Sequence, residues 1–290
     1  MSKAFARLDF SPRGLSSMTD PLPKFDAPPV VETVLSIQFE PLPRFTGAMA
    51  GRFWQSHLMQ GGNDWPASAE VLALQDVRER FGDDVQWIQL GVQIGSREGR
   101  SQRTQIMRAD DERMVQIQDS RLILNWKKGQ ADYPSYETLF PEFLSLYEGF
   151  KAFSSDCGFD DLSLNQWEVT YVNHILKGDL WNSPYDWGDI AENLAVPKVD
   201  RSIASSESGA LQWKFIIGEN LGRLHVSSRH VKVAPGDEEA IRLELTARGP
   251  FNDAEAGDIK GCYDLGHETI VRFFAACTSD AAHKVWKRTA

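Results

Sequence analysis

Hydrophobic and polar residues alternate along residues 30–40, between Pro28-Pro29 and Pro41. A period of two is typical of a β-strand, because successive side chains of a strand point to opposite faces. One face is the more apolar and is expected to meet the core; it comprises Val31, Thr33, Leu35, Ile37 and Phe39. Pro41 and Pro43 then prevent the strand from continuing.

The same period predicts further strands in both parts of the chain. Residues 85–95 alternate, and residues 103–128 predict three consecutive strands separated by turns at 110–112 and 119–120. Residues 162–178 predict a long strand, and residues 211–233 and 238–250 continue the pattern. Hairpin-length connections favour antiparallel pairing, since parallel neighbours need long crossovers.

Helical periodicity appears between these strands. Residues 46–62 predict one helix, with Thr46 as its N-cap. Apolar residues spaced three and four apart predict a long helix that ends before Gly158 and has Pro141 in its first turn; they are Phe140, Phe143, Leu144, Tyr147 and Phe150. A short helix is predicted near residues 185–195, and a final one begins at Asp264 as its cap. The sequence does not decide whether residues 66–81 form a short helix or an irregular connection.

The order strand, helix, about four strands, long helix occurs twice along the chain. We therefore predict an α+β fold of two similar halves, each a curved antiparallel sheet gripping a long helix in a helix-grip-like manner. The predicted halves are residues 26–158 and 159–290, packed as one globular unit. Residues 1–25 are predicted to form a flexible N-terminal arm.

Composition and charge narrow the classes of function. The 290 residues are 42% hydrophobic and carry a formal net charge of −10, which disfavours a main role in gripping nucleic acid phosphates. The three cysteines stand far apart without a C-x-x-C motif, which favours a reducing compartment. No apolar run suits a membrane span or a secretory signal. We expect a cytoplasmic protein without a membrane partner.

Short motifs resemble a bacterial family of uncharacterised, sporadically distributed proteins. That family has a P-P-x-V-E opening strand, a mid-chain strand ending in Y-x-N, and a final helix with an H-[DE] pair and a late tryptophan. The matching positions are Pro28, Pro29, Val31, Glu32, Tyr171, Asn173, His267, Glu268 and Trp286. The resemblance implies no catalytic residue. The patchy distribution of the family suggests an association with bacterial defence or mobile genes.

The polar residues of these motifs are the candidates for acid–base chemistry. Glu32, His267 and Glu268 combine two carboxylates with an imidazole, and Tyr171 and Asn173 could contact a ligand or partner beside them. The structural alternative is that all five cap helices and tie strand ends together, since buried polar groups are paired whether or not they react. The structural alternative is favoured.

A metal site has little support in the sequence. Cys262, Asp264 and His267 offer a thiolate, a carboxylate and an imidazole, all of which bind zinc. There is, however, no H-E-x-x-H motif and no second cysteine pair. We expect neither a metal nor a cofactor.

Two basic stretches are the candidates for an anion site. One carries Arg97, Arg100 and Arg103, and the other carries Arg223, His225 and Arg229. Arg223 and His225 alternate along one predicted strand and therefore share a face. Arginine suits phosphate and carboxylate recognition, whereas the favoured alternative is a solvated edge strand protected by charge.

The tryptophans at strand positions have two interpretations: they line a ligand groove, or they fill the hydrophobic core. Trp87 shares its face with Gln89 and Gln93, so these three residues are the candidates for a ligand groove or a partner surface. The alternative is that tryptophans at such positions fill a core.

Together these patterns predict a non-enzymatic binding or regulatory protein that recognises another protein or a small ligand. The alternative is an enzyme or a nucleic-acid effector that uses a polar cleft between the two halves. The sequence leaves open whether the protein forms a homodimer. Glycine-rich nucleotide motifs and a nucleophile elbow are absent from the sequence, which lowers the odds of a nucleotide fold or a serine hydrolase.

Overall fold

The computed structural model describes residues 21–60, 64–81, 102–197, 200–251 and 258–290. Nine strands lie in this part of the chain. They are β1 (Val30–Phe39), β2 (Ala67–Leu72), β3 (Gln102–Met107), β4 (Arg113–Gln118), β5 (Arg121–Lys127), β6 (Leu164–Leu176), β7 (Ala210–Ile217), β8 (Gly222–Val233) and β9 (Glu238–Pro250). The three strands predicted within 103–128 are confirmed as β3, β4 and β5.

Five α-helices accompany the strands within the described ranges. They are α1 (Gly47–Phe53), α2 (Tyr136–Asp156), α3 (Trp187–Ile190), α4 (Ile259–Cys277) and α5 (Asp280–Val285). A π-helical turn, Trp54–Leu58, continues α1, and 3₁₀ turns flank α3. The predicted stripe of α2 is confirmed, since Phe140, Phe143, Tyr147 and Phe150 are buried and Leu144 is half-buried. Pro141 lies in the second turn rather than the first, because α2 begins at Tyr136.

All nine strands belong to one antiparallel sheet, in the order β2-β3-β4-β5-β1-β6-β9-β8-β7. Strands β1 and β6 pair at its centre, with Leu35 opposite Val169 and Ile37 opposite Trp167. On its other side β1 pairs with β5, and β6 pairs with β9. Both central strands therefore have hydrogen-bonded neighbours along both edges, which satisfies their backbone groups.

The predicted architecture of two halves, each with its own sheet gripping a long helix, is wrong. The β1–β6 pairing joins what the sequence suggested were two sheets into a single nine-stranded one. The helices do not sit within separate curved sheets, because α2 and α4 pack beside each other over this common surface. Phe140 and Phe143 of α2 contact the Tyr263 ring of α4 at centroid distances of 5.5 and 5.1 Å.

The sheet has one apolar face and one polar face. On the apolar face, Thr33, Leu35, Ile37 and Phe39 of β1 are buried beneath the helices, as the alternation predicts. The polar face carries Ser36 and Gln38 of the same strand, and both are also buried. The sequence left residues 66–81 open between a short helix and an irregular connection. Ala67–Leu72 instead form strand β2, which pairs with β3, whereas residues 73–81 form an extended connection that runs across the polar face.

Helix α4 starts earlier than predicted. The Asp258 carboxylate accepts a hydrogen bond from the Gly261 amide at 2.9 Å, so Asp258 is the N-cap and Asp264 is not. A carboxylate at this position stabilises the unpaired amides of the first turn. The earlier start places His267 in the middle of a long helix, above the sheet, rather than in a first turn.

The buried Tyr263 hydroxyl fastens α4 to the central strand by donating to the Ser36 carbonyl oxygen at 2.6 Å. We predict that Tyr263→Phe lowers the free energy of unfolding by about 1 to 2 kcal/mol, because the buried carbonyl loses a partner. Urea unfolding measures the difference.

Tyr147→Phe is the matched control for this prediction. Tyr147 is also buried, but its hydroxyl has no hydrogen-bond partner among the described residues. This variant should unfold within about 0.5 kcal/mol of the wild type. Equal destabilisation by both substitutions would contradict the role given to the Tyr263 hydroxyl.

Candidate functional site

A cavity of about 460 Å³ opens on the helix side of the sheet, where β1 begins. Its floor is formed by β1, β6 and β9, its walls by the start of α2 and the middle of α4, and its rim by both ends of the described chain. Apolar atoms contribute most of the surface that faces the cavity, although polar residues are as numerous as apolar ones in the lining. The apolar residues are Leu22, Pro23, Phe25, Pro28, Val30, Leu245, Ile270, Val271 and Phe274, and the polar ones are Lys24, Asp26, Tyr133, Ser135, Tyr136, Glu137, Tyr171, Asn173, His267 and Thr289.

His267 is the central polar group of this cavity. Its ring stacks on Tyr136 of α2 at a centroid distance of 4.1 Å and an angle of 6°. Its Nδ1 atom shares a hydrogen bond of 2.6 Å with the Tyr171 hydroxyl of β6. Burial lowers the pKa of His267 to about 4, although Glu137, Asp264 and Glu268 oppose this. The imidazole is therefore neutral at neutral pH.

The tyrosines around His267 are neutral as well. Burial raises the pKa of Tyr171 well above its ordinary value, and the nearby Tyr133 adds to the effect. Burial likewise raises the pKa of Tyr133. The polar part of the cavity thus presents hydroxyl and imidazole groups that donate and accept hydrogen bonds without carrying charge.

Negative charge lies at the edge of the same polar region. A hydrogen bond from the Ser135 side chain lowers the pKa of Glu137, which keeps that carboxylate ionised. Asp264 accepts a hydrogen bond of 2.9 Å from the Tyr136 hydroxyl and forms an ion pair with Lys260. The Tyr136–Asp264 bond fixes the ring that stacks on His267.

The two ends of the described chain close one side of the cavity. Lys24 and Asp26 donate backbone hydrogen bonds to the carbonyls of Ala290 and Lys287, and Thr289 donates back to Lys24. Phe25 packs against Phe274 at a centroid distance of 5.5 Å. Residues 21–25 of the predicted flexible arm are thus placed against the body of the protein; residues 1–20 lie outside the described ranges.

The structure does not bring the three catalytic candidates together. Glu32 lies on the polar face, where it accepts a hydrogen bond of 2.8 Å from Asn125. Its neighbour Thr33 pairs with Tyr171 on the opposite face, the face that carries His267. Glu268 forms an ion pair of 2.8 Å with Arg272 on its own helix. The sheet therefore separates Glu32 from His267.

Of the predicted ligand or partner contacts, Tyr171 and Asn173 line the cavity. The Asn173 side chain is buried and donates to the Leu243 carbonyl at 3.2 Å. Trp87, Gln89 and Gln93 lie outside the described residues, as do Arg97 and Arg100. For these five residues the structure gives no placement.

The remaining anion candidates lie on the polar face or near it. Arg103 of β3 is half-buried, and burial together with Arg121 lowers its pKa. Arg223 and His225 of β8 both contact Glu79 of the 73–81 connection. Arg229 lies further along β8 and is exposed. Arg223 and His225 are therefore brought together, whereas Arg229 is not part of their contact.

Sequence reasoning missed Tyr133, Tyr136 and Phe25 as cavity residues, and Glu79 and Arg248 on the polar face. Tyr136 stands four residues before Phe140, so helical spacing could have extended the α2 stripe to it. No comparable signal marks Glu79, because residues 73–81 show neither the alternation of a strand nor the spacing of three and four that is typical of a helix.

No protein-family model matches the chain, and no curated protein matches it significantly. Within the described ranges, no group of three or more histidine, cysteine, aspartate or glutamate side chains is arranged to hold a metal ion. None of the helices described combines the length and hydrophobicity required to cross a bilayer.

The buried neutral imidazole makes stability depend on pH. Since the pKa of His267 is about 4 in the folded protein and 6.5 in an ordinary imidazole, the unfolded state binds a proton that the native state does not between these values. Stability therefore falls as the pH drops from 6.5 towards 4. We predict that His267→Gln removes about 2 kcal/mol of the stability loss between roughly pH 7 and pH 5.

Urea unfolding of the wild type and of His267→Gln at the two pH values measures this difference. A loss of packing in the variant does not affect the comparison, because it lowers the variant's stability equally at both pH values. His57→Gln, at an exposed histidine on the π-helical turn, is the matched control and should keep the wild-type difference. An unchanged pH dependence in His267→Gln would contradict a neutral, buried His267.

Proposed function

We propose that this protein is a non-enzymatic binding protein and that its ligand occupies the His267 cavity. The observation that carries the proposal is the shape and chemistry of that cavity. Its volume of about 460 Å³ falls in the usual range for small-molecule sites. Apolar walls with a few convergent polar groups are also typical of such sites.

The electrostatics indicate the class of ligand. The charged groups in the lining are Lys24 and Asp26 near the rim and Glu137 at the start of α2, and together they are net negative. The central His267 is neutral, so it offers no compensating positive charge to an anion. We therefore propose a small, largely apolar molecule that is neutral or cationic and carries a hydrogen-bond donor.

The pKa values favour binding over catalysis by proton transfer. An efficient general acid or base has a pKa near the working pH. The pKa of His267 is about 4, and that of Tyr171 is raised, so neither group changes its protonation easily near neutrality. The alternative of an enzyme using Glu32 with His267 loses its geometric basis, because the sheet lies between them.

The nucleic-acid alternative has no favourable observation either. Arg223 and His225 already contact the Glu79 carboxylate, and the chain carries a net charge of −10. A protein partner, a homodimer and the association with bacterial defence stay predictions from the sequence. They are compatible with a ligand-responsive regulator.

A fluorescent probe tests the proposal directly. N-phenyl-1-naphthylamine is a neutral aromatic amine with one N–H donor, and it should bind one site with a saturable rise in fluorescence. Val271→Trp fills part of the cavity and should weaken probe binding by roughly tenfold or more, because the probe and the new ring compete for the same space. An anilinonaphthalene sulfonate of similar size should bind more weakly than the neutral amine.

Val285→Trp is the matched control for this experiment. Val285 lies on α5, is 40% exposed and does not line the cavity, so the variant should bind the probe as the wild type does. Circular dichroism checks that both variants fold. If Val271→Trp binds the probe with unchanged affinity, or the wild type does not bind it, the ligand assignment is wrong.

A further inference from the structure

We call the 73–81 connection the strap. On the polar face of the sheet, the strap and side chains of the strands beneath it form a second polar cluster. The strap contacts the sheet mainly through side chains rather than through a β-ladder. Gln118 accepts from the Leu74 amide at 2.9 Å and donates to the Leu74 carbonyl at 3.1 Å. Gln166 accepts from the Glu79 amide at 2.9 Å and donates to the Val77 carbonyl at 2.7 Å.

One strap side chain is deeply buried. The Glu79 side chain is 4% exposed, and its carboxylate contacts three donors from β8 and β9. Oε1 accepts from His225 Nε2 and from Arg248 Nε, each at 2.6 Å, and Oε2 accepts from Arg223. By contrast, Leu74 and Val77 of the strap are exposed. The strap is therefore held by the Glu79 carboxylate and by the two glutamine side chains. Further contacts are a 2.7 Å hydrogen bond from Ser120 to Asp76 and the contacts of Arg223 with the Arg80 carbonyl and the Phe81 ring.

The positive charges of Arg223 and Arg248 require an anion between them. Arg223 and Arg248 stand directly opposite each other across β8 and β9, and like charges in such a pair repel. Glu168 offsets part of this charge, since it lies 3.6 Å from Arg248 and 4.0 Å from Arg121. The Arg223–Arg248 pair is compensated directly by Glu79, and these contacts lower the Glu79 pKa to about 2 despite burial.

A cavity of about 460 Å³ lies beside this cluster, and Leu74, Val77, Arg121, His225 and Arg248 are among its lining residues. Two carboxylates also line it, and both are paired with arginines: Glu168 with Arg121 and Arg248, and Glu244 with Arg242. It leaves space at the cationic group for atoms other than the Glu79 carboxylate. Because the strap buries little apolar surface, its local opening costs less than unfolding of the sheet.

We propose that Arg223, His225 and Arg248 form an oxyanion-binding site that Glu79 occupies from within the same chain. The ligand class is a compact oxyanion that replaces the Glu79 carboxylate. It is either a free phosphate or the carboxylate of an extended acidic peptide that follows the path of the strap. This site is distinct from the His267 cavity, which lies across the sheet.

Charge removal at Glu79 tests the proposal. Glu79→Gln keeps the shape of the side chain but leaves the cations without their anion, so its melting temperature should fall. Inorganic phosphate, compared with chloride at equal ionic strength, should restore part of this loss. Glu40→Gln is the matched control, because Glu40 forms an exposed ion pair with Arg78 of the same strap; it should show neither the loss nor the phosphate effect.

Calorimetric titration of phosphate and of a synthetic peptide with the sequence of residues 73–81 separates the two sources. Either ligand should bind Glu79→Gln at least roughly tenfold more tightly than the wild type, whose own carboxylate competes. A peptide carrying glutamine in place of the Glu79 position should not bind. Binding of phosphate indicates a free oxyanion, and binding of the peptide alone indicates a peptide ligand. If neither binds more tightly to Glu79→Gln, the proposal is overturned.

The wild-type protein provides a second measurement if Glu79→Gln does not fold. Hydrogen exchange at the Leu74 and Glu79 amides should become faster in phosphate than in chloride at equal ionic strength, because displacement of the strap breaks their bonds to Gln118 and Gln166. Unchanged exchange at both amides would overturn the proposal. Neither result depends on ligand binding in the His267 cavity.

Discussion

The pairing of β1 with β6 is the interaction on which the rest of the structure depends. It satisfies the backbone groups of both central strands and joins five strands from the first part of the chain to four from the second. In a continuous sheet of this kind, a side chain on one face cannot reach groups on the other face. One face carries the helices and the His267 cavity, and the other carries the strap and Glu79, so the two candidate sites are separated by the sheet itself.

Burial determines the charge state in both sites, but with opposite results. His267 is buried among aromatic rings, and desolvation keeps it neutral although Glu137, Asp264 and Glu268 favour its charged form. The Glu79 side chain is also buried, yet three cationic or donor groups keep it ionised. A neutral site inside apolar walls suits an uncharged or cationic molecule, whereas a cationic cluster with a carboxylate already in place suits an exchangeable anion.

Local patterns predicted most of the elements but not their neighbours. The alternation in residues 30–40 identified the buried face of β1, and the spacing of Phe140, Phe143 and Phe150 identified the buried stripe of α2. Alternation shows which face of a strand is buried, but not which strand lies beside it. That is why the sequence suggested two sheets where the structure has one. The early start of α4 was missed because Asp258 and Asp264 are both acceptable caps.

The sequence by itself determined most of the strands, though not β2, and the long helices, because these depend on local periodicity. It also determined the side-chain chemistry available at Tyr171, Asn173, His267, Arg223 and His225. Only the tertiary structure decided which of them meet. It placed Glu32 and His267 on opposite faces, set Tyr136 from α2 against His267, and brought Glu79 to Arg223 across 144 residues of chain. Such contacts arise from strand pairing and from the packing of distant elements, which no short stretch of sequence encodes.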